Sequence, residues 1–302
     1  MPYTFPVPPR GEDPAAAHAA LVEESVALNQ AMWDERAPAH AASPDYAVQR
    51  FYDDPDYLSD VVRFDLPRLG DVAGLRGVHL QCHIGTDTVS LARLGARMTG
   101  LDFSPPALAA ARELAAGTGA DVDFVHADVR SALEVLPVGA FDLVFTGIGA
   151  LCWLPRVDEW AGVVATLLAP GGRLFLREGH PVLWALDDYE TYDPATARLA
   201  LELPYFETEH PLEWSSDVGG TYVATDATFT QNRSREWNHG LGEIVTALLD
   251  HGLRLTQLVE HTSVPWEAIP GAMVAVGGGE WQLADRPQRL PHSYTLQAQR
   301  PT

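Results

Sequence analysis

Two rhythms of hydrophobic and polar positions divide the chain. Short apolar runs at 78–82, 97–101, 122–126, 141–146 and 173–178 have the pattern of buried strands. Between them, helical spacing holds over 87–94, where Leu91 and Leu94 share a face, and over 105–116 and 157–168. An amphipathic helix at 240–251 and strands at 253–261 and 293–299 close the series. Strands alternating with helices predict an α/β fold. Its doubly wound, mostly parallel seven-stranded sheet would bind ligands at the carboxyl ends of the strands.

The flanks follow other patterns. Residues 1–16 are rich in Pro and Ala and read as a flexible arm. Ala17 to Trp33 has helical spacing through Leu21, Val26 and Met32, followed by a loop with Pro38 and Pro44. Asp53-Asp54-Pro55-Asp56 marks a turn, and Tyr57 to Leu69 forms a further helix. Residues 181–236 carry Trp184, Tyr189, Tyr192, Tyr205, Phe206, Trp214, Tyr222 and Phe229 without helical period, which predicts short strands and loops over the sheet. The expected organisation is an arm at 1–16, a helical cap at 17–70 and a binding core at 71–180. An inserted substrate lid at 181–236 and the rest of the core at 237–302 complete it.

Candidate chemistry concentrates in Gly77 to Thr88 followed by Leu101-Asp102-Phe103-Ser104. This reads as strand, tight turn, helix and a second strand ending on a carboxylate. Gly85 and Asp102 stand 17 positions apart, close to the roughly 20 that separate a glycine turn from a ribose-binding acid. A pyrophosphate needs bare backbone at several glycines, and the turn keeps only Gly85, which counts against a dinucleotide. The third strand leads to a second acid, Asp128, and the fourth ends at Thr146-Gly147. Pro170-Gly171-Gly172 turns into the fifth.

In this order the segments resemble the class I S-adenosylmethionine-dependent methyltransferases, most specifically over 78–180. Trp33-Asp34-Glu35-Arg36, Leu80 to Gly85 and Glu236-Trp237-Asn238-His239 resemble a bacterial branch of small-molecule or uncharacterised members. The resemblance implies a Rossmann-like methyltransferase fold, S-adenosyl-L-methionine as cofactor and S-adenosyl-L-homocysteine as product. It implies Asp102, with Phe103 and Ser104, at the ribose, and Asp128 and Val129 at the adenine. Each acid also stands where it can cap the helix that follows. The family's turn reads acid-x-Gly-x-Gly-x-Gly; with Gln81, His83, Gly85 and Asp87 at those positions, one glycine remains. Gln81, His83, Gly85, Thr86 and Thr88 would surround the methionine portion, with Thr146 and Gly147 under the sulfonium. In the cap, Trp33, Arg36 and Tyr46 are candidates for the methionine carboxylate, because a planar guanidinium matches a carboxylate.

Glu178 and His180 at the end of the fifth strand, and His239 beside Asn238, are candidate general bases; a structural role is the alternative for each. His79 and His83 have helical metal-ligand spacing but lie in a strand and turn, which does not gather two imidazoles. Transfer of a sulfonium methyl requires no Lewis acid, so no metal is expected.

Composition narrows the partners. The 302 residues are 46% hydrophobic, enough for a full core. Twenty basic against 41 acidic residues give a formal charge of −21, and the basic residues are scattered, which speaks against nucleic acids and anionic membranes. Cys82 and Cys152 in apolar contexts fit a reducing cytoplasm. No basic-then-apolar leader or membrane-length apolar run is visible. The expectation is a cytoplasmic methyltransferase acting on an O, N or C nucleophile of a small molecule, chiefly by positioning and exclusion of water. A same-fold enzyme without methyl transfer, an NAD(P)-dependent oxidoreductase and a non-catalytic cofactor-binding protein are the other readings. The oligomeric state stays open.

Overall fold

The structure is a computed structural model that describes residues 13–186, 196, 198–215 and 220–302. Helix α1 (Pro14–Ala42) is capped by Asp13, whose side chain accepts the Ala15 N–H. A 3-10 turn at Pro44–Tyr46, α2 (Val48–Asp53) and α3 (Asp60–Leu69) lead into the core. There β1 (Arg76–Leu80), α4 (Thr86–Arg93), β2 (Arg97–Asp102), α5 (Pro105–Thr118), β3 (Val122–His126), α6 (Ala132–Val135), β4 (Phe141–Thr146), α7 (Val157–Leu167) and β5 (Leu168–Gly179) follow in turn. Beyond them lie α8 (Pro181–Trp184), β6 (Leu212–Ser215), β7 (Arg233–Glu236), α9 (Leu241–Asp250), β8 (Arg254–His261), β9 (Met273–Gly277), β10 (Glu280–Leu283) and β11 (Ser293–Gln299).

Seven strands form one sheet in the order β3-β2-β1-β4-β5-β11-β8. All run parallel except β11, which is antiparallel to both β5 and β8. Alternation along the strands sends side chains into two cores. Val78, Leu80, Val144, Leu174 and Leu176 pack with α7 and α9 on one face. Leu143, Phe145 and Phe175 pack with Val62 and Leu69 of α3 and Leu91 of α4 on the other. Each such buried side chain contributes about 2 kcal/mol. Because β2 and β4 flank β1 on opposite sides, the chain reverses its winding there and opens a crevice at the carboxyl ends of β1 and β4.

Three features depart from the sequence expectation. Helix α1 continues through Pro38 to Ala42 where a loop is expected. Arg36 and His40, on either side of Pro38, are buried and bonded to the insertion, and these contacts hold the helix across the proline. Strand β1 stops at Leu80 because Gln81 turns left-handed at φ 57°. The insertion's two-stranded pair, β6 with β7, packs through β7 on α1, and a second pair, β9 with β10, is added between β8 and β11. Tyr189, Tyr192 and the first twelve residues of the arm lie outside the described residues.

Candidate active site

The turn after β1 holds left-handed backbone at alternate positions: Gln81 at φ 57°, His83 at 50° and Gly85 at 79°. Left-handed backbone is where glycine is favoured, so the three glycine positions of the turn are 81, 83 and 85. The register set out from sequence is thereby corrected by two residues: His79, not Gln81, stands at the acid position. Gly85 is also sterically required, since a Cβ there would lie 2.8 Å from the Ala111 Cβ of α5. The side chains at the other two positions swing aside. Gln81 Nε2 donates to the Ala150 carbonyl at 2.9 Å, and the His83 ring meets His40 Nδ1 at 3.0 Å.

Asp102, at the tip of β2, ties two turns together. Its Oδ2 accepts the His83 N–H at 2.8 Å and its Oδ1 the Ser104 N–H at 2.9 Å. Burial pushes its carboxyl up to about 6, against the pull of these backbone donors. Ser104 caps α5 and donates through its hydroxyl to Asp34 of α1, and the Phe103 carbonyl accepts from Gln30 and His126. Asp128 caps the 3-10 turn Val129–Ser131 by accepting the Arg130 N–H. The Arg130 guanidinium pairs with Asp128 and Glu23, while Val129 is buried in the core. Thr86 opens α4, and Thr88 Oγ1 lies 2.8 Å from His79 Nδ1.

The three candidate bases are all engaged. Glu178 is buried, and its carboxylate accepts backbone N–H groups from Gly149, Ala150, Leu151 and Gly179 at 2.6–3.0 Å. It clamps the segment after β4 to the end of β5. Burial raises its carboxyl, opposed by those four donors. His180 Nδ1 accepts the Val182 N–H, which leaves the ring proton on Nε2, 2.9 Å from Glu260 Oε1. His239 faces acceptors on both nitrogens, the Glu207 carboxylate on one and the Leu151 and Leu154 carbonyls on the other. None of the three presents a free basic atom.

Arg36 is similarly committed, to the carbonyls of Met32, Gly220 and Gln231 and to Asn232 Oδ1, with its guanidinium over the Phe229 ring. Trp33 and Tyr46 instead join a ring cluster with His40, His83, Trp153 and Tyr222. Tyr46 and Tyr222 share a hydroxyl hydrogen bond, and His40 links His83 to Thr221. Desolvation, with the Arg36 charge adding to it at His40 and the His40 ring at His83, holds His40 at about 4 and His83 at about 3, so both rings are neutral near pH 7.

Two carboxylates that the sequence left unsingled as candidates border this cluster. Asp87 is pushed up to about 6 by burial, and Glu236 to about 7 for the same reason. Glu236 bonds to Ser234 Oγ of its own strand. His79 Nε2, Gln81 Oε1 and Thr146 Oγ1 are buried without a hydrogen-bond partner. A Cβ on Gly147 would lie 3.3 Å from Asp87 Oδ2 and 3.4 Å from His79 Nε2, so both groups point to that spot. The only sequence signal for Glu236 was its place in the Glu-Trp-Asn-His run. Among the described residues, no group of three or more His, Cys, Asp or Glu could hold a metal ion.

Comparison with known proteins agrees with this architecture. Residues 78–174 match the family described as "Methyltransferase domain". A ubiquinone biosynthesis O-methyltransferase from Xanthomonas euvesicatoria is 32% identical over 162 residues, 53% of this chain and 60% of that protein. The chain thus spans about three fifths of the length of the curated relatives it first matches. Among solved structures, an S-adenosylmethionine dependent methyltransferase from Mesorhizobium loti superposes with a TM-score of 0.53 at 22% identity, covering 80% of this chain and 98% of that one. A candidate enzyme of the same description from Listeria monocytogenes gives 0.58 at 17%, covering 80% and 97%. The fold is the Rossmann-like one of these methyltransferase structures.

Proposed function

We propose that the protein binds S-adenosyl-L-methionine in the crevice between β1, β2 and β4 and transfers its methyl group to a small molecule. The observation that carries this reading is Asp102 at the tip of β2, oriented by the His83 and Ser104 N–H groups within the matched domain. Each carboxylate oxygen keeps a lone pair with which to accept from a ribose hydroxyl. The group fits the residues present. Gln81 Oε1, Thr146 Oγ1 and His79 Nε2 are buried polar atoms without partners at the ends of β1 and β4, and a polar ligand there would satisfy them.

When bound, the cofactor supplies the electrophilic methyl group. The protein's own share is orientation and exclusion of water. Asp102 would hold the ribose, and Asp128 and Val129 the adenine edge. The turn at 81–85 would hold the methionine portion, and Trp33, Trp153 and Tyr222 would wall the transfer site. Because Glu178, His180 and His239 are engaged elsewhere, we assign most of the rate to alignment of the acceptor behind the methyl carbon. The net charge of −21 supports a small-molecule acceptor over a nucleic acid. Both cysteines are free, which favours a cytoplasmic setting, and no helix among the described residues is long and apolar enough to cross a membrane.

Calorimetric titration with S-adenosylhomocysteine tests the reading. Saturable binding by the wild type, weakened in Asp102→Asn, is expected. A flat titration with the wild type would remove the cofactor assignment.

A further inference from the structure

We propose that the cleft between cap and insertion selects a methyl acceptor bearing an ammonium-type cationic group, seated against Trp33, Tyr46, Trp153 and Tyr222 and flanked by the carboxylates of Asp87 and Glu236. The proposal rests on the methyltransferase reading above and names the substrate class for that site.

The ring cluster reaches solvent at Tyr222. Tyr222 is 56% exposed, while the surrounding protein, with Asp87 and Cys152 adding to the effect, still pushes its hydroxyl up to about 12. The aromatic walls are assembled from three distant parts of the chain: the Trp33 ring lies 5.3 Å from that of Trp153 and 6.4 Å from that of Tyr222.

The flanking acids differ from their neighbours. Glu178 accepts from four backbone donors, Glu207 is bonded to His239 and the Val157 N–H, and Glu213 pairs with Arg233 and Arg235. Glu236 has one uncharged partner, Ser234 Oγ at 3.1 Å, and acts across the cleft wall on the Cys152 thiol. Strand β7 holds it there, because the Trp237 N–H donates to the Cys152 carbonyl at 2.9 Å. Burial raises the Tyr46 and Tyr222 hydroxyls, and the Asp87 charge adds to both. The Asp87 carboxyl bonds to Ser59 and feels the Arg177 guanidinium, which is itself paired with Glu280.

Among the described residues, Arg177 acts on Asp87, which also bonds to Ser59, and no basic side chain acts on Glu236. Arg36 is committed to the insertion, and His40 and His83 are neutral near pH 7. Beside them the ring of His79, 3% exposed, leaves Nε2 without a partner toward the same point near Gly147 as Asp87 Oδ2. Glu236, with a hydroxyl partner only, and Asp87, whose nearby cation is shared with Glu280, are costly to ionise out of bulk water, and a bound cation relieves that cost. Aromatic faces around it add cation–π attraction and reject a neutral isostere less strongly held.

A positive group could come from the acceptor or from the sulfonium of the cofactor itself, and the experiment separates them. Choline is titrated into protein saturated with S-adenosylhomocysteine, whose sulfur is neutral, beside its uncharged carbon isostere dimethylbutanol. Saturable choline binding at millimolar concentration is expected, with the isostere weaker by about tenfold or more. Asp87→Asn and Glu236→Gln should each weaken choline by about tenfold, with S-adenosylhomocysteine affinity in Glu236→Gln within about twofold of wild type. Absence of saturable choline binding, equal affinity for the isostere, or displacement of choline by S-adenosylhomocysteine would each overturn the proposal. Displacement would give the cation site to the sulfonium. Failure of S-adenosylhomocysteine to bind at all is a separate result against the cofactor reading, and choline titrated into the unliganded protein then still decides whether the cleft selects cations.

Discussion

Asn29 and Arg235 exchange hydrogen bonds across 206 positions of sequence. Asn29 Nδ2 donates to the Arg235 carbonyl at 2.7 Å, and the Arg235 N–H donates to Asn29 Oδ1 at 2.8 Å. One buried amide thus completes an edge of β7 as a neighbouring strand would, and fixes the insertion to the cap on either side of the cleft.

Replacing Asn29 by Ala strands a buried N–H and a buried C=O together. A loss of about 2 kcal/mol or more is expected in urea denaturation, because each unpaired buried group costs about 1–3 kcal/mol. Unchanged stability would show that water or a shifted β7 replaces the amide.

Asp102→Asn should weaken S-adenosylhomocysteine by about tenfold or more in calorimetry, the scale of one lost charge-assisted bond. The amide also turns an NH₂ toward either His83 N–H or Ser104 N–H, so the turn after β1 is expected to loosen and protect its amides less in hydrogen exchange. Equal affinity in the variant would remove Asp102 from the ribose.

Glu178 is predicted to be a clamp. Glu178→Gln keeps the shape but sets an NH₂ against backbone donors, and should cost about 3 kcal/mol in denaturation midpoint analysis. A fully stable Glu178→Gln protein would contradict the clamp and return Glu178 to the list of bases.

The raised carboxyls set a pH dependence whose sign follows from linkage. Glu236 titrates near 7 in the folded state, above its ordinary range, so the folded protein binds that proton more tightly than the unfolded chain. Its contribution to stability is present at low pH and is lost as pH rises through about 7. Wild type should therefore gain stability relative to Glu236→Gln when pH falls from about 8 to about 6. His40, His79, His261 and His292 act oppositely: burial lowers each, with neighbouring positive charges also opposing protonation of His40 and His261. Their contribution is lost as pH falls below the usual histidine range. Parallel pH profiles for wild type and Glu236→Gln in chemical denaturation would contradict the raised Glu236 carboxyl.

The site was legible in part. The spacing from Gly85 to Asp102 and the strand endings at Asp128 and Thr146 mark the carboxyl edge of the sheet correctly, because strand ends and tight turns are written in neighbouring residues. The turn itself was misread by two positions, since Gln81 and His83 occupy left-handed backbone that glycine would have announced. Glu178, His180 and His239 have the right chemistry for bases. Their donors and acceptors lie on Gly149 to Leu154, Val182, Glu207 and Glu260, most of them far away in sequence, and spacing does not reveal that they are taken.

Hydrophobic periodicity alone determined the alternating strands and helices and the acid at the tip of β2, because burial on one face repeats with the local geometry of the backbone. Which polar groups remain free was decided only when the chain folded. Tyr46 meets Tyr222 and His40 meets Thr221 across more than half the chain, while Glu236 is left with one neutral partner. Hydrogen-bond completion in a dry interior depends on whichever distant groups arrive, and a linear pattern carries no record of that arrival.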